Sequence, residues 1–319
     1  MNAAVLHDFD QPPRFEQFPE PTAEENEVIV HVQAAALKPV DKQVASGLHY
    51  ASPGKLPVVC GIDGVGRLED GARVYFGGPR SPFGAMAQLT AVSRPRCFPL
   101  PQGLDDVTAA AVMNPGVSAW LTLAQRAKLV RGETVLVLGA TGATGKLAVQ
   151  IAKLLGAARV VAAGRNEQVL STLHDFGADA TIGIDKPGQD LKHAFASAAA
   201  DSGFDVIIDY LWGKPTEALL AALTRKEFAV VKSEIRLVQV GESAGATISL
   251  PAAVLRSTPL SILGTAGIPS PDILMDAFQQ VMAGAARGEL RIEVEQVPLD
   301  QVESAWQRDG HGRRLVLIP

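Results

Sequence analysis

Val135-Leu-Val-Leu138-Gly139-Ala-Thr-Gly142-Ala-Thr-Gly145-Lys146 lies near the middle of the 319-residue chain. Four apolar residues without alternation read as a strand buried on both faces. Glycines at 139, 142 and 145 follow directly, and Lys146 to Leu155 has the composition of a helix. Strand, glycine turn and helix in that order suit a diphosphate: the glycines let the backbone come close, and the helix offers N-terminal amides and its positive dipole end. The spacing is GxxGxxG. A Walker A loop would need Ser or Thr after Gly-Lys, and Leu147 stands there. Gly139, Ala140, Thr141, Gly142, Ala143, Thr144 and Gly145 are therefore predicted to line a dinucleotide.

The next apolar run, Val160 to Ala163, ends in Gly164-Arg165-Asn166, about 20 residues beyond the glycines, where this kind of unit reads the adenosine ribose. A carboxylate there would accept the ribose hydroxyls of NAD. A guanidinium stands there instead, suited to a 2′-phosphate, so the cofactor predicted is NADPH, with Gly164, Arg165 and Asn166 at the site.

Outward from this unit the alternation continues. A helix from Gln168 to Phe176 is closed by Gly177, and Thr181-Ile182, Val206 to Asp209, Leu237 to Val240 and Ser261 to Leu263 read as strands. Such alternation implies a Rossmann-type, doubly wound parallel sheet, assigned to 116–285. The first ~115 residues are different: short runs at Val28 to Ala35, Val58 to Gly61, Arg73 to Phe76 and Met86 to Val92 are broken by Pro and Gly, with Gly61 to Gly66 as a glycine-rich turn. They suggest a small barrel-like β domain. Asp105 to Met113 and Val117 to Ala127 read as two helices. Asp272 to Gly288 is a helix, and Arg291 to Val294 and Leu315 to Leu317 are strands that can rejoin the first domain, which is assigned to 1–115 and 286–319.

The formal charge of −5 argues against nucleic-acid or acidic-membrane partners. Cys60 and Cys97 form no CxxC pair, as expected of free thiols in a reducing compartment. The N-terminus lacks a basic-then-apolar leader, and no 18-residue run is free of charge or turn residues. A cytoplasmic location is expected.

Two further motifs compete for attention. Gly241-Glu-Ser243-Ala-Gly245 matches a nucleophile elbow, with Asp276 and His311 following in hydrolase order, which makes a serine esterase the rival from another class. An elbow must lead into a helix, whereas Ala246 to Pro251 reads as extended. Tyr210-x3-Lys214 has the spacing of a dehydrogenase Tyr/Lys pair, but Trp212-Gly213 and Pro215 argue against the helix it requires.

The layout resembles the medium-chain dehydrogenase/reductase superfamily, in its zinc-free quinone oxidoreductase (zeta-crystallin-like) branch. The resemblance rests on Met1-Asn-Ala-Ala-Val, Leu37-Lys-Pro-Val-Asp41 with Ser46-Gly47, Gly61-Ile-Asp-Gly-Val-Gly66, Gly116-Val-Ser-Ala-Trp120, the 139–145 glycines and Gly312-Arg-Arg-Leu-Val-Leu. It implies an α/β chain with a GroES-like β-rich catalytic domain and a Rossmann domain, and NADPH-driven hydride transfer to quinones or α,β-unsaturated carbonyls. A non-catalytic NADPH-binding protein is the other outcome the resemblance allows. Zinc-dependent relatives carry a Cys in the early loop and Gly-His-Glu in the glycine turn; Pro39 or Val40 and Ile62-Asp63 stand there in this chain, so no metal is expected. Relatives line the substrate cleft with the loop corresponding to Lys38 to Tyr50. They usually have Asn where this chain has Lys38, and often Tyr near Gln43, so the substrate is not carried over. Lys38 is a candidate oxyanion ligand, Tyr50 or His49 a proton donor, Asp41 a loop support, and Asn114 a hydrogen-bond donor or an N-cap. Ser118 is implied near the nicotinamide phosphate, and backbone groups at Val240-Gly241 and Gly264-Thr265 near the carboxamide. The sixth strand is expected to pair with its mate in a homodimer.

Overall fold

The computed structural model describes residues 1–319 except 201–202, 225–233, 266, 268, 309 and 311. The chain divides into two compact units: Met1–Asn114 with Gln279–Pro319, and Pro115–Phe278.

The first unit is β-rich. Its elements are β1 (Asn2–Leu6), β2 (Arg14–Gln17), β3 (Glu27–Ala36), α1 (Pro39–Ala45), β4 (Val58–Val59), β5 (Asp63–Arg67), β6 (Arg73–Gly77), β7 (Leu89–Ser93) and β8 (Cys97–Pro99). The chain then enters α2 (Asp106–Trp120). The second unit carries β9 (Thr134–Leu138), α3 (Ala143–Leu154), β10 (Arg159–Gly164), α4 (Glu167–Thr172), β11 (Ala180–Gly183), α5 (Gly188–Ala199), β12 (Val206–Asp209), α6 (Gly213–Leu223), β13 (Ile235–Gln239), α7 (Ala252–Ser257) and β14 (Leu260–Gly264). After α8 (Pro271–Ala286), β15 (Val294–Pro298), α9 (Val302–Gln307) and β16 (Arg314–Ile318) belong to the first unit.

The second unit's sheet has the order β11-β10-β9-β12-β13-β14, with every pairing parallel. β9 and β12, both wholly buried, form its centre. Their continuous apolar runs are what a strand needs when helices cover both faces. The order reverses between β9 and its two neighbours, and ligands of such sheets gather at that switch point, outside the carboxyl ends of the strands.

In the first unit, β15-β16-β3-β5-β6-β8 form one sheet with β7 paired to β3, and β2-β1-β4 a smaller one. β16 runs antiparallel to β3, so the C-terminal strand closes onto the N-terminal lobe. Val30, Val32, Phe76, Met86, Leu315 and Leu317 belong to the core these strands share.

Several sequence boundaries shift. The expected glycine-rich turn at 61–66 is mostly strand β5. Gly64 and Gly66 serve close packing there: a Cβ on Gly66 would lie 2.5 Å from the His31 carbonyl oxygen. The two helices expected on either side of Asn114-Pro115 are one helix, α2, which runs through Pro115 and continues as a π-helix over Leu121–Arg126. Ala109 to Met113, Val117 and Ala119 are all buried, and that burial offsets the helix bond that Pro115 cannot make. The combined 21 residues from Asp106 to Arg126 are long and apolar enough to cross a bilayer, but 61% of the most apolar window is buried inside the protein, as in a core helix. β15 begins at Val294, where 291–294 was expected; it is an edge strand, which tolerates Pro298 at its end.

Gly66→Ala is predicted to force β3 and β5 apart. The expected loss is about 1–3 kcal/mol, read as a lower urea midpoint with an unchanged slope.

Candidate active site

The nucleotide turn is built by crowding. Gly139 leaves β9 with φ +87°, and its amide and that of Ala140 both donate to the Ala163 carbonyl at the end of β10 (2.9 Å each). α3 starts at Ala143, three residues before the start expected from the sequence, with Gly142 as its N-cap. A Cβ on Gly145 would overlap the Gly139 carbonyl and come 2.6 Å from the Ala140 Cα. Glycine there lets the helix pack against the strand end. Gly164 is similarly filled by the Thr141 side chain, whose Oγ1 would lie 2.7 Å from a Cβ. Gly142 differs: it is exposed, and a Cβ would meet only the Gly139 carbonyl oxygen at 3.5 Å. Its open side faces no protein atom, and among the described residues the amides of Ala143, Thr144 and Gly145 have no acceptor in the chain. Three free N–H groups beside an open glycine at a helix N-terminus are a cradle for an anion.

Beyond β10, Arg165 is exposed and has no ion-pair partner among the described residues. Asn166 is committed to its own helix: its Oδ1 accepts from the Val169 amide (3.1 Å) and caps α4. Glu167, two residues on, sits beside Gly183 at the end of β11.

At the carboxyl ends of β12 and β13 two loops are stitched together by Asp209. This wholly buried carboxylate accepts from the amides of Leu211 (2.8 Å) and Trp212 (2.9 Å) and from the Thr216 hydroxyl (2.6 Å). It fixes a segment in which Trp212 takes φ +56°. Tyr210 and Leu211 in turn back Gly139: a Cβ there would lie 3.1 Å from each side chain. The loop after β13 closes onto this segment, with Ala244 N donating to Leu211 O (2.8 Å) and Ser243 Oγ to Tyr210 O (3.1 Å).

This geometry removes the esterase. Residues 246–250 are not helical, α7 begins only at Ala252, and Ser243 is bonded to a backbone carbonyl. Asp276 lies in α8, and His311 falls outside the described residues. Lys214 does enter a helix, the first turn of α6, but Tyr210 precedes that helix and Lys214 pairs with Glu217 (2.8 Å). The amides of Val240 and Gly241 both donate to the Asp209 carbonyl (2.8 and 3.1 Å), so of the backbone groups expected there the carbonyls are the ones left to face a carboxamide. Gly264 ends β14, and Gly264 and Thr265 are exposed.

In the β-rich unit the sequence misjudged Lys38. It is buried, at 2% exposure; its ammonium donates to Ala36 O (3.0 Å) and Asp63 Oδ1 (3.1 Å) and forms an ion pair with Asp41 Oδ2 (3.2 Å). Buried and engaged by these protein oxygens, Lys38 does not present its ammonium as the oxyanion ligand its position suggested. Burial opposes the charged ammonium, but the two carboxylates outweigh it and hold the Lys38 pKa above its ordinary value. Asp41 supports the loop, as its sequence position implied. Its carboxylate accepts from the Lys38 amide (2.9 Å) at the start of α1, and from the Ile62 amide (3.1 Å). Arg314, also buried, donates to Leu37 O (3.1 Å), and the Tyr75 hydroxyl neighbours Asp63. Asp63 entered the sequence reading only as a replacement for a zinc-site residue, and Tyr75 and Arg314 were not singled out; their signal was polar or charged side chains inside otherwise apolar strands.

Tyr50 is 96% exposed and stacks on His49 with ring centroids 4.1 Å apart. His49 Nδ1 accepts from the Ala51 amide (3.1 Å), so its Nε2 carries the proton of the neutral ring. Asn114 is not an N-cap: it lies inside α2, half-buried, four residues before half-buried Ser118, so the two share a helix face.

Residues 143–282 match the family model described as zinc-binding dehydrogenase. The "Probable NADPH-dependent quinone reductase tdiC" of Emericella nidulans is 27% identical over the whole of both chains. The quinone oxidoreductase of Thermus thermophilus, solved alone and with NADPH, is 29% identical and superposes with a TM-score of 0.82 over the full length of each. The family model spans less than half of the chain, and over its full length the chain resembles the medium-chain dehydrogenase/reductase superfamily. Within that superfamily, these two full-length matches are to proteins named as a quinone reductase and a quinone oxidoreductase. The chloroplastic NADPH-dependent alkenal/one oxidoreductase of Arabidopsis thaliana is 30% identical over 66% of this chain, which spans 59% of that protein.

Some members of the superfamily use zinc, and the donor set here does not fit it. Among the described residues, no three His, Cys, Asp or Glu side chains converge as a metal site requires. The early loop and the glycine turn meet around the Lys38 ammonium instead.

Asp41→Ala is predicted to leave the Lys38 ammonium short of one buried partner and the Ile62 amide without an acceptor. A loss of about 3–5 kcal/mol is expected in urea unfolding.

Proposed function

We propose that this chain is a zinc-independent, NADPH-dependent reductase that passes a hydride to a quinone or an α,β-unsaturated carbonyl. The observation that carries this is the anion cradle at Gly142 to Gly145 with a guanidinium, Arg165, that has no ion-pair partner among the described residues and lies two residues past the Ala163 carbonyl on which the turn hangs. The names of relatives that match along the chain, a quinone reductase and an alkenal/one oxidoreductase, support the same chemistry.

NADPH, when bound, supplies the hydride. The amides of Ala143, Thr144 and Gly145 hold its diphosphate, with Gly139, Ala140, Thr141 and Gly142 shaping the turn, and Arg165 beside Gly164 and Asn166 pairs with the 2′-phosphate. Ser118, the Val240 carbonyl, Gly264 and Thr265 are assigned to the nicotinamide end. Conjugated acceptors spread the incoming charge through their own π system, so the protein's tasks are orientation and a proton. Asn114 is assigned to orient the acceptor. Tyr50 is assigned to donate the proton, and its exposure lets solvent restore it.

We also propose a homodimer through β14. That strand ends the sheet with one side unpaired among the described residues, and Ile262 (36%) and nearby Leu255 (51%) are exposed. Free Cys60 and Cys97 support a reducing, cytoplasmic setting.

Two variants test the cofactor assignment. Arg165→Ala should weaken NADPH by about 10- to 100-fold, the worth of a charge-assisted contact, and leave NADH nearly unchanged in fluorescence titrations. Equal losses for both nucleotides would refute the 2′-phosphate contact. Gly142→Ala fits the protein without a clash, so its melting temperature should hold while NADPH affinity falls at least tenfold. Wild-type protein should oxidise NADPH when given members of a quinone and enone panel; tight NADPH binding without turnover across the panel would favour a non-catalytic binding protein.

A further inference from the structure

The strongest unexplained feature is a charge cluster inside a β-rich core. Lys38, Asp41, Asp63 and Arg314 are each at most 6% exposed, two positive and two negative, among strands whose other side chains are mostly apolar. Lys38 is its hub. The ammonium draws together oxygens from three separate places: the Ala36 carbonyl at the end of β3, the Asp41 carboxylate in the first turn of α1, and the Asp63 carboxylate at the start of β5. Asp41 extends the tie to the Ile62 amide (3.1 Å), and Arg314 reaches Leu37 O from β16 (3.1 Å).

We propose that Lys38 is a tethered cation, doing in this lobe what a bound metal ion does elsewhere: converging carboxylates from separate segments on one point and so fixing the entry to α1. Three oxygens around one positive centre are the arrangement a hard cation makes with carboxylate and carbonyl ligands. A lysine achieves it without dissociation, because its charge is part of the chain. The alternative donors are poor ones. Cys60 is buried, and among the described residues no three His, Cys, Asp or Glu side chains converge as metal ligands. A lobe organised this way is independent of metal supply, and it bars a metal from the same point by both charge and volume. The proposal stands apart from the NADPH assignment, which concerns the other unit.

The test uses the full-length protein. Wild type should keep its melting temperature and its NADPH-oxidising rate in EDTA and in added zinc. Lys38→Ala should melt lower by roughly 10 °C. It leaves a void the shape of propylammonium, so propylammonium at tens of millimolar should restore much of the lost melting temperature, whereas neutral 1-propanol should not. Lys38→Met keeps a long stem and removes the charge; it should melt nearly as low as Lys38→Ala. Lys38→Met as stable as wild type would overturn the proposal, since packing of the stem would then suffice. A fall in wild-type melting temperature on chelation would overturn it as well. Should Lys38→Ala fail to fold, the Lys38→Met comparison and the chelation result still decide the matter.

Discussion

The close approach of α3 to the end of β9 is the constraint on which the proposed chemistry depends. Gly145 can have no side chain because the Gly139 carbonyl and the Ala140 backbone occupy its place. That contact pulls the first turn of α3 against the sheet and points three unbonded amides outward past Gly142. The same turn is pinned from the far side by the Ala163 carbonyl, which takes two amides, and from beneath by Tyr210 and Leu211. A helix N-terminus is attractive to anions in any protein. Here it is also held still, so an arriving diphosphate meets donors that need no rearrangement.

The two units solve the burial of polarity differently. In the parallel-sheet unit it is spread over separate elements: Lys146 and Gln150 are buried on α3, and at the end of β12 Asp209 satisfies two amides and a hydroxyl and so shapes the loop that backs the glycine turn. In the β-rich unit it goes to the centre. Four titratable groups are withdrawn from water there, and the desolvation this costs is offset by the Lys38 ion pairs with Asp41 and Asp63 and by the Arg314 bond to Leu37 O, although Asp63 Oδ2 and Arg314 Nε have no hydrogen-bond partner among the described residues. Such a cluster specifies one arrangement of β3, α1, β5 and β16, since removing any member strands another.

The motifs that looked catalytic in isolation lose that character in context. Ser243 sits in a sequence that matches a nucleophile elbow, yet its hydroxyl is spent on the Tyr210 carbonyl and no helix follows to aim it. Val240 and Gly241 lie at the right edge of the sheet for a cofactor, but their amides close the turn onto Asp209. Position along a strand predicts where a ligand lies; it does not predict which donors are still free.

The sequence alone determined the parallel sheet and the place of the nucleotide turn. Unbroken apolar runs at β9 and β12, glycines at fixed offsets and a guanidinium in place of a carboxylate after β10 are local facts, and local spacing governs strand, turn and helix. The join at Pro115, the strand character of Asp63–Arg67 and the fate of Lys38 were decided only by tertiary structure. A lysine read along the chain is a surface residue. This one is buried because Asp63 lies 25 residues away in sequence and Arg314 reaches the adjoining Leu37 carbonyl from 277 residues away. Charges can leave water only where folding has already brought their partners together.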